Sequence, residues 1–356
     1  MAVTTTTEIA GPVNRIFQTT LLRNAKSRAP HFVGSVAAEI SEHRGTFTAL
    51  WRRIENLTAT TTALNEVSGS VTFPVRTAVQ PSVTNYTATL SKYGNFIFLS
   101  EEVDLINFSG QMDKLVEILG INAGQSLNRL QRDRIEDNST AVFTGTGSTA
   151  TDTRAAVNAN SIRSAVNALQ RQSALKFTPM VTGSTRVGST PIRDSYWGIC
   201  HSDVEEDIRQ ITGFNSVETY GGHTEIAPGE FGNVGGIRWV STEEAGIDTG
   251  SAGTATSTGV TGTDFRATSN TNDLYASVVM GMDFHGSVGL GFNHIKEIYM
   301  AGDRLPGVQL ISKAKGSAGA ADPLNDVGSV GWKSWHASVI LNANWGRRIM
   351  SVATLY

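Results

Sequence analysis

Two strand-like segments enclose a stretch that is too long for an ordinary loop. Thr46 to Ile54 (TFTALWRRI) is rich in Phe, Thr and Trp, and Tyr86 to Ser100 (YTATLSKYGNFIFLS) carries an alternating run that ends almost continuously apolar. Between them lie Thr58 to Thr62, Gly69, Pro74 and Pro81, a composition that punctuates rather than forms regular structure. The pattern predicts an extended hairpin over residues 46–99. Loops of this length inside a compact domain are uncommon and usually functional. A hairpin that projects from a body is there to touch another chain.

The flanking segments continue the theme. In residues 1–45, Val13, Ile16, Phe17 and Leu21 recur at helical spacing between Pro12 and Pro30. One short amphipathic helix cannot form a domain, so this arm must lay its stripe on something else. Its polar side holds Arg15, Arg23, Lys26 and Arg28, either a solvated face or a contact for a polyanion. The longest helical signal follows the hairpin. Met112, Leu115, Val116, Leu119, Ala123, Leu127, Leu130 and Ile135 form one apolar stripe. A helix over about 110–137, with Ser109 as N-cap, would span roughly 42 Å at 1.5 Å per residue. Gly120 and Gly124 sit in its middle, each costing about 1 kcal/mol against Ala. They are incidental, or they permit a close backbone approach or a bend.

Beyond it, Thr144 to Thr153 reads as a connector and Ser161 to Gln172 as an amphipathic helix. Tyr196 to Cys200 reads as a buried strand, followed by a helix capped by Ser202 and running through Ile211. Gly229 to Val240 and Leu274 to Leu290 read as strands, and His294 to Leu310 as a strand pair. Gly331 to Ile349 reads as one long closing strand. Residues 248–273 hold Gly, Thr, Ser and Ala with few large apolar side chains, which predicts an exposed loop.

Composition narrows the class. The chain has 356 residues, 36 of them Gly, with 29 Lys+Arg against 32 Asp+Glu. Charged residues make 17%, below the roughly 25% of an ordinary domain. That suits a protein that covers much of its surface with partners. Near-neutral charge argues against a dedicated DNA-binding protein. No apolar run approaches the roughly 18 residues of a membrane span. The first residues, a Thr run, lack the pattern of a secretory signal. A lone cysteine, Cys200, excludes an internal disulfide framework.

Catalytic patterns are missing. The sequence contains no GxxxxGK[ST], GxSxG or HExxH. Cys200 and His201 stand beside Glu205 and Glu206, but adjacent strand residues point to opposite faces and a lone buried Cys is usually core. His285, His294 and His336 could converge, though no spacing demands it. Arg129, Arg132 and Arg134 near Asp133 and Glu136 read as dipole compensation and local ion pairs. No catalytic, cofactor or metal residues are assigned.

Taken in order, the segments resemble the tailed-phage major capsid proteins of the HK97-type fold, in particular the N4-type major capsid family. The resemblance rests on Arg52-Arg53-Ile54-Glu55-Asn56-Leu57, Thr62 to Glu66, Thr87 to Gly94 (TATLSKYG), Ser100 to Asp104 (SEEVD), Val330 to Trp335 (VGWKSW) and Ile340-Leu341-Asn342. It implies an α+β fold. Residues 1–45 would be the N-arm and 46–99 the extended loop that reaches over a neighbour. Residues 100–184 would be a peripheral domain with the spine helix. Residues 185–290 would be mainly the axial domain, and 291–356 the return to the peripheral domain. The implied function is a structural protein that self-assembles into the icosahedral shell around a double-stranded DNA genome, not an enzyme.

The implied partners are many copies of itself in hexamers and pentamers, portal, scaffolding and decoration proteins, and packaged DNA without sequence preference; a membrane is not among them. It implies a virion capsid assembled in the bacterial host cytoplasm. Candidates for contact between subunits are Phe17, Trp51, Arg52, Arg53, Phe73, Arg76, Tyr86, Tyr93 and Phe96. Each aromatic could equally fill its own chain's core. Gly120 and Gly124 are bend candidates in the spine helix, and Arg15, Arg23, Lys26 and Arg28 would face the genome. Residues 67–80 look like additional sequence at the hairpin tip. Some shells of this fold are locked by a Lys–Asn isopeptide bond from this loop. No lysine occurs between Lys26 and Lys92, which argues against that cross-link here. Two other readings remain: a β-rich tail or adhesin-type protein, which should show a repeat that is not seen, and a hydrolase with a non-standard site.

Overall fold

A computed structural model describes residues 21, 29–40, 46–55, 57, 59, 61, 80–101, 111–145, 149–153, 155–177, 194–219, 229–252, 265–268, 271–290, 307–313, 323, 324 and 326–356. The chain runs through β1 (Val36–Ile40), β2 (Thr48–Ile54), β3 (Val83–Thr89) and β4 (Ser91–Ser100) to α1 (Gln111–Asp137). Next come β5 (Thr140–Phe143), α2 (Ala159–Arg171), β6 (Tyr196–His201), α3 (Ser202–Arg209), β7 (Asn215–Ser216), β8 (Glu230–Val234) and β9 (Ile237–Thr242). Short β10 (Ile247–Asp248), β11 (Ala267–Thr268) and β12 (Thr271–Asn272) precede β13 (Leu274–Met280) and β14 (His285–Leu290). The described order closes with β15 (Val308–Lys313), β16 (Val327–Ile340) and β17 (Gly346–Ser351).

Two large sheets take most of these strands, while β2–β3 and β11–β12 form two-stranded ribbons of their own. In the five-stranded sheet, His336 on β16 faces Gly289 of β14 on one side and Ser91 of β4 on the other. Ser334 likewise lies between Val308 of β15 and Tyr93 of β4. So β4 runs along one edge of β16, while β14 and β15 lie end to end along the other. β1 adds in parallel outside β14. The eight-stranded sheet has the order β5-β17-β13-β6-β9-β8-β7, with β10 on β13. Its core includes Tyr196, Trp239, Val279 and Ile349 together with the buried stripe of α2. Gly198 lets Trp239 in: a Cβ there would lie 2.6 Å from its ring.

Strand alternation decides where α1 sits. Val330 and Trp332 of β16 are buried on one sheet face beneath Val116, Leu119, Ala123 and Leu127 of α1. Tyr93, Ile97 and Leu99 of β4 join them. Each fully covered Leu or Val contributes about 1.5–3 kcal/mol, which outweighs the cost of two mid-helix glycines. Gly120 and Gly124 are both buried, and α1 runs through them without interruption.

Several expectations need adjustment. Among the described residues the ribbon pairs β2 with β3 over residues 48–54 and 83–89, and β4 belongs to the five-stranded sheet instead. Its alternate apolar residues are covered there by α1. Residues 29–40 are not a free arm. Phe32 and Leu21 are buried beneath α1, and β1 completes the sheet. The boundary at 290 also shifts: β14 already lies in the five-stranded sheet, while β17 returns to the eight-stranded one. The expected single closing strand therefore breaks at 341–345, where the Asn342 side chain accepts from the Asn344 N–H. The helix after β6 is capped by His201, not Ser202, and ends at Arg209. Parts of the 248–273 tract are ordered, since Ala252 and Asn272 are buried and Gly250 N–H donates to Asp273. Residues 253–264 and 291–306 lie outside the described residues.

Candidate assembly surfaces

The ribbon has two unlike faces. Ala49, Trp51 and Arg53 stand directly opposite Ala88, Tyr86 and Thr84, and this face lies on the chain's own five-stranded sheet. Trp51 packs with Val288, Val339 and Tyr86. A Cβ on Gly286 would come within 3.2 Å of the Trp51 ring, so glycine admits the indole. Arg53 donates to the Leu341 carbonyl at 2.7 Å, pairs with Glu55 and lies over the Tyr86 ring. Lys92 lies 6.0 Å from the centre of the Trp335 ring at the same junction.

The outward face carries Leu50, Ile54 and Val83, which are 55%, 65% and 48% exposed. Ile54 is directly opposite Val83, and Leu50 is opposite Thr87. Arg52, the charged residue of this face, donates to Asn85 at 3.4 Å. A two-stranded ribbon is marginal by itself in water, so an uncovered aliphatic face on one is costly. Phe47 is also exposed beside Trp335, with ring centres 5.6 Å apart.

A second uncovered area lies on β4. Phe96 and Phe98 are 61% and 66% exposed and meet edge to face at 5.0 Å. They share the sheet face that carries Trp335, Ala337 and Val339. The ribbon covers the latter end and leaves the Phe96 end bare. Gly331, opposite Phe96, carries no side chain to cover it.

The predicted contact residues thus separate. Trp51, Tyr86 and Tyr93 fill the chain's own clusters, and Arg53 ties the ribbon to its own body. Arg52 and Phe96 are exposed. Phe17, Phe73, Arg76, Arg15, Arg23, Lys26 and Arg28 lie outside the described residues. Sequence reading missed Leu50, Ile54, Val83 and Phe98. Strand alternation relative to Trp51 was the available signal for the first two.

Polar chemistry is structural rather than convergent. At the far end of α1, Glu244 accepts from Gln125 at 2.9 Å and from Arg129 at 2.7 Å. Arg132 donates to its carbonyl, and the Glu136 carboxylate accepts from Gly246 N–H at 3.0 Å. Burial raises the Glu136 carboxyl to about 7, against the opposing pull of Arg132 and that N–H. At the helix middle, Asn128 accepts from the His31 N–H at 3.1 Å and lies 3.0 Å from its Nδ1. Burial lowers His31 to about 4, and His336, whose ring lies 5.4 Å from that of Phe32, to about 4 as well. Cys200 is buried with its thiol directed to the Val240 carbonyl, and desolvation pushes its pKa up. His201 accepts from Asp203 N–H, so the pair forms no nucleophilic site. Among the described residues no group of three or more His, Cys, Asp or Glu could hold a metal ion, and no helix is long and apolar enough to cross a membrane.

Comparison places this geometry. A family model described as phage capsid protein matches residues 84–348. No curated protein matches the sequence. The capsid of the cyanophage P-SCSP1u aligns with a TM-score of 0.55 at 13% identity, covering 89% of this chain and 86% of that one. The capsid of Ralstonia phage GP4 aligns at 0.54 and 10% identity, over 92% and 90%. The head of Helicobacter pylori bacteriophage KHP40 aligns at 0.50 and 13% identity, over 93% and 91%. At these identities the likeness carries the fold.

Proposed function

The chain belongs to the phage capsid protein family, and from that premise we propose how its surfaces build a shell. It is a structural major capsid protein of the virion head, with an α+β fold of the HK97 type. We assign it to the N4-type group within that family. Copies join as hexamers and pentamers in the host cytoplasm, with portal, scaffolding and decoration proteins as further partners. The five-stranded sheet with α1 serves as the peripheral domain and the eight-stranded sheet as the axial domain. The packaged DNA is met through charge alone, by Arg15, Arg23, Lys26 and Arg28.

The observation that carries the mechanism is the two-faced ribbon. Its inner face is fixed to its own sheet by Trp51, Tyr86 and Arg53. Its outer aliphatic face gains cover only from a neighbour. Several such contacts per subunit add by avidity, since each later contact is effectively intramolecular. Individually weak contacts then let a misplaced subunit leave. Function here is binding, with no turnover.

The test is Leu50→Ser combined with Ile54→Ser. Both side chains are exposed, so the isolated chain should keep its stability within about 1 kcal/mol, about 0.5 for each substitution. Particles seen by electron microscopy for the parent chain should be lost or malformed. Normal particles from the double variant would remove the ribbon from the mechanism.

A further inference from the structure

The shell-building reading leaves one surface unexplained, the outer edge of β4. Among the described residues β4 pairs with β16 alone, in an unbroken one-to-one register from Ser91 to Ser100. The ladder continues with Glu101 N–H donating to Asp326 at 2.8 Å. Odd-numbered residues therefore bond to β16. The backbone groups of Lys92, Gly94, Phe96, Phe98 and Ser100 point the other way, to the open side. Consistent with this, Phe96 N–H is taken by its neighbour Asn95 through Oδ1 at 2.9 Å.

Protein edges of this length are ordinarily blunted by proline, a bulge, repeated charge or a cover. Here the ten residues contain no proline, the register has no bulge, and Lys92 is the single charge. Gly94 adds no side chain to the edge, and none fits, because its Cβ would lie 2.5 Å from the Trp332 carbonyl oxygen. The most exposed aromatic pair of the described chain, Phe96 and Phe98, stands on the same strand.

We propose that β4 pairs edge to edge with β4 of a second copy, antiparallel across a two-fold axis, so that two five-stranded sheets join into one. The occupant follows from the strand itself. Self-pairing satisfies both open edges at once, as an isologous contact requires. With Ile97 on the axis, Phe96 stands opposite the partner's Phe98 and Gly94 opposite the partner's Ser100. Four phenyl rings then gather on one face, and no two lysines meet. Aromatic cross-strand pairs stabilise such ladders. The Asn95 contact to Phe96 N–H gives way to a backbone carbonyl. This inference rests on the shell reading for its setting, while its contact can be tested in solution.

The experiment has two arms. In the first, Phe96→Cys and Phe98→Cys chains are mixed, assembled and oxidised, then run on a non-reducing gel. Directly opposed bonded pairs lie about 5.5 Å apart at Cα, inside the 4.4–6.8 Å that a disulfide needs. Linked dimers in the mixture support the proposal, as do dimers of Phe96→Cys alone, which place the axis one residue away. Absence of dimers from intact particles overturns it. In the second arm, Phe96→Lys with Phe98→Lys sets cations against cations. Unassembled chain should melt as the parent does, and particle yield should fall at least about tenfold. Normal yield overturns the proposal. Should the parent chain form no particles even when expressed with its scaffolding partner, the shell reading fails, and cross-linking of the soluble chain alone decides the β4 contact: dimers uphold it and their absence overturns it.

Discussion

Acid should loosen the junction between α1 and the five-stranded sheet, and the amount can be worked from three buried groups. His31 and His336 are held near 4 by burial, whereas in the unfolded chain they titrate near 6.5. Between those values the unfolded chain binds protons that the folded chain refuses. Stability from the two histidines is therefore complete above pH 6.5 and lost as pH falls toward 4. Each contributes a slope of about 1.4 kcal/mol per pH unit. Glu136 acts in the opposite sense. Its carboxyl, raised to about 7, keeps its proton in the folded chain down from neutrality, while the unfolded chain releases it until about 4.5. Folding is thus favoured as pH falls from 7 to 4.5.

From pH 6.5 to 4.5 the two histidines together remove about 5.5 kcal/mol and Glu136 returns about 2.7, a net loss of roughly 3 kcal/mol. Urea unfolding of the unassembled chain at half-unit steps from pH 7.5 to 4.5 measures it. His31→Gln keeps an amide N–H for Asn128 and should flatten the acid slope by about 1.4 kcal/mol per unit. Glu136→Gln should steepen it by about the same amount and raise stability at pH 7. An acid slope unchanged by His31→Gln, or a Glu136→Gln chain with the parent's profile, would refute the reasoning.

Three further outcomes follow from the same contacts. Glu244→Ala leaves Arg129 and Gln125 without their acceptor and should cost about 2 kcal/mol, read as a lower urea midpoint with unchanged slope; Arg129→Ala, removing the largely exposed partner, should cost under about 1 kcal/mol. Gly198→Ala forces a methyl toward the buried Trp239 ring and should cost about 1–3 kcal/mol by thermal unfolding, with altered near-ultraviolet dichroism from that indole. Gly120→Ala with Gly124→Ala should raise helix propensity by about 1 kcal/mol at each site and stiffen α1; unchanged shell assembly and maturation, followed by microscopy, would separate these glycines from any bending role.

What the sequence revealed tracks periodicity. The helix Gln111–Asp137 follows the predicted stripe, and the described part of that stripe is buried from Val116 to Ile135. Strands stood out where branched and aromatic residues cluster, as at Leu274–Met280. Partner choice did not. Nothing in YTATLSKYGNFIFLS tells that Tyr86 pairs with Trp51 in the ribbon while Tyr93 and Ile97 pair across to β16. That division depends on β16, more than 200 residues away along the sequence. The cap at His201 was hidden because serine is the commoner cap, and here the imidazole Nδ1 does the accepting. Glu244 and Asn128 carry no motif. Their importance comes from the helix end and the buried turn that fold onto them.

The same dependence explains why aromatic residues were a poor guide to the outer surface. Trp51 and Tyr86 are large enough to anchor the ribbon to its own sheet, and alternation then turns Leu50, Ile54 and Val83 outward. On β4 the case is reversed: the residues that α1 covers are Tyr93, Ile97 and Leu99, and the bulky Phe96 and Phe98 are left outside. One sheet face is thus half covered by the chain's own ribbon and half bare. A self-contained globule would have little reason to keep these five aliphatic and aromatic side chains so exposed beside an unprotected strand edge. For a shell subunit the arrangement is coherent. On the proposed contacts, the inner residues hold the ribbon and sheet in place before assembly, and the outer ones would gain their burial when another copy arrives.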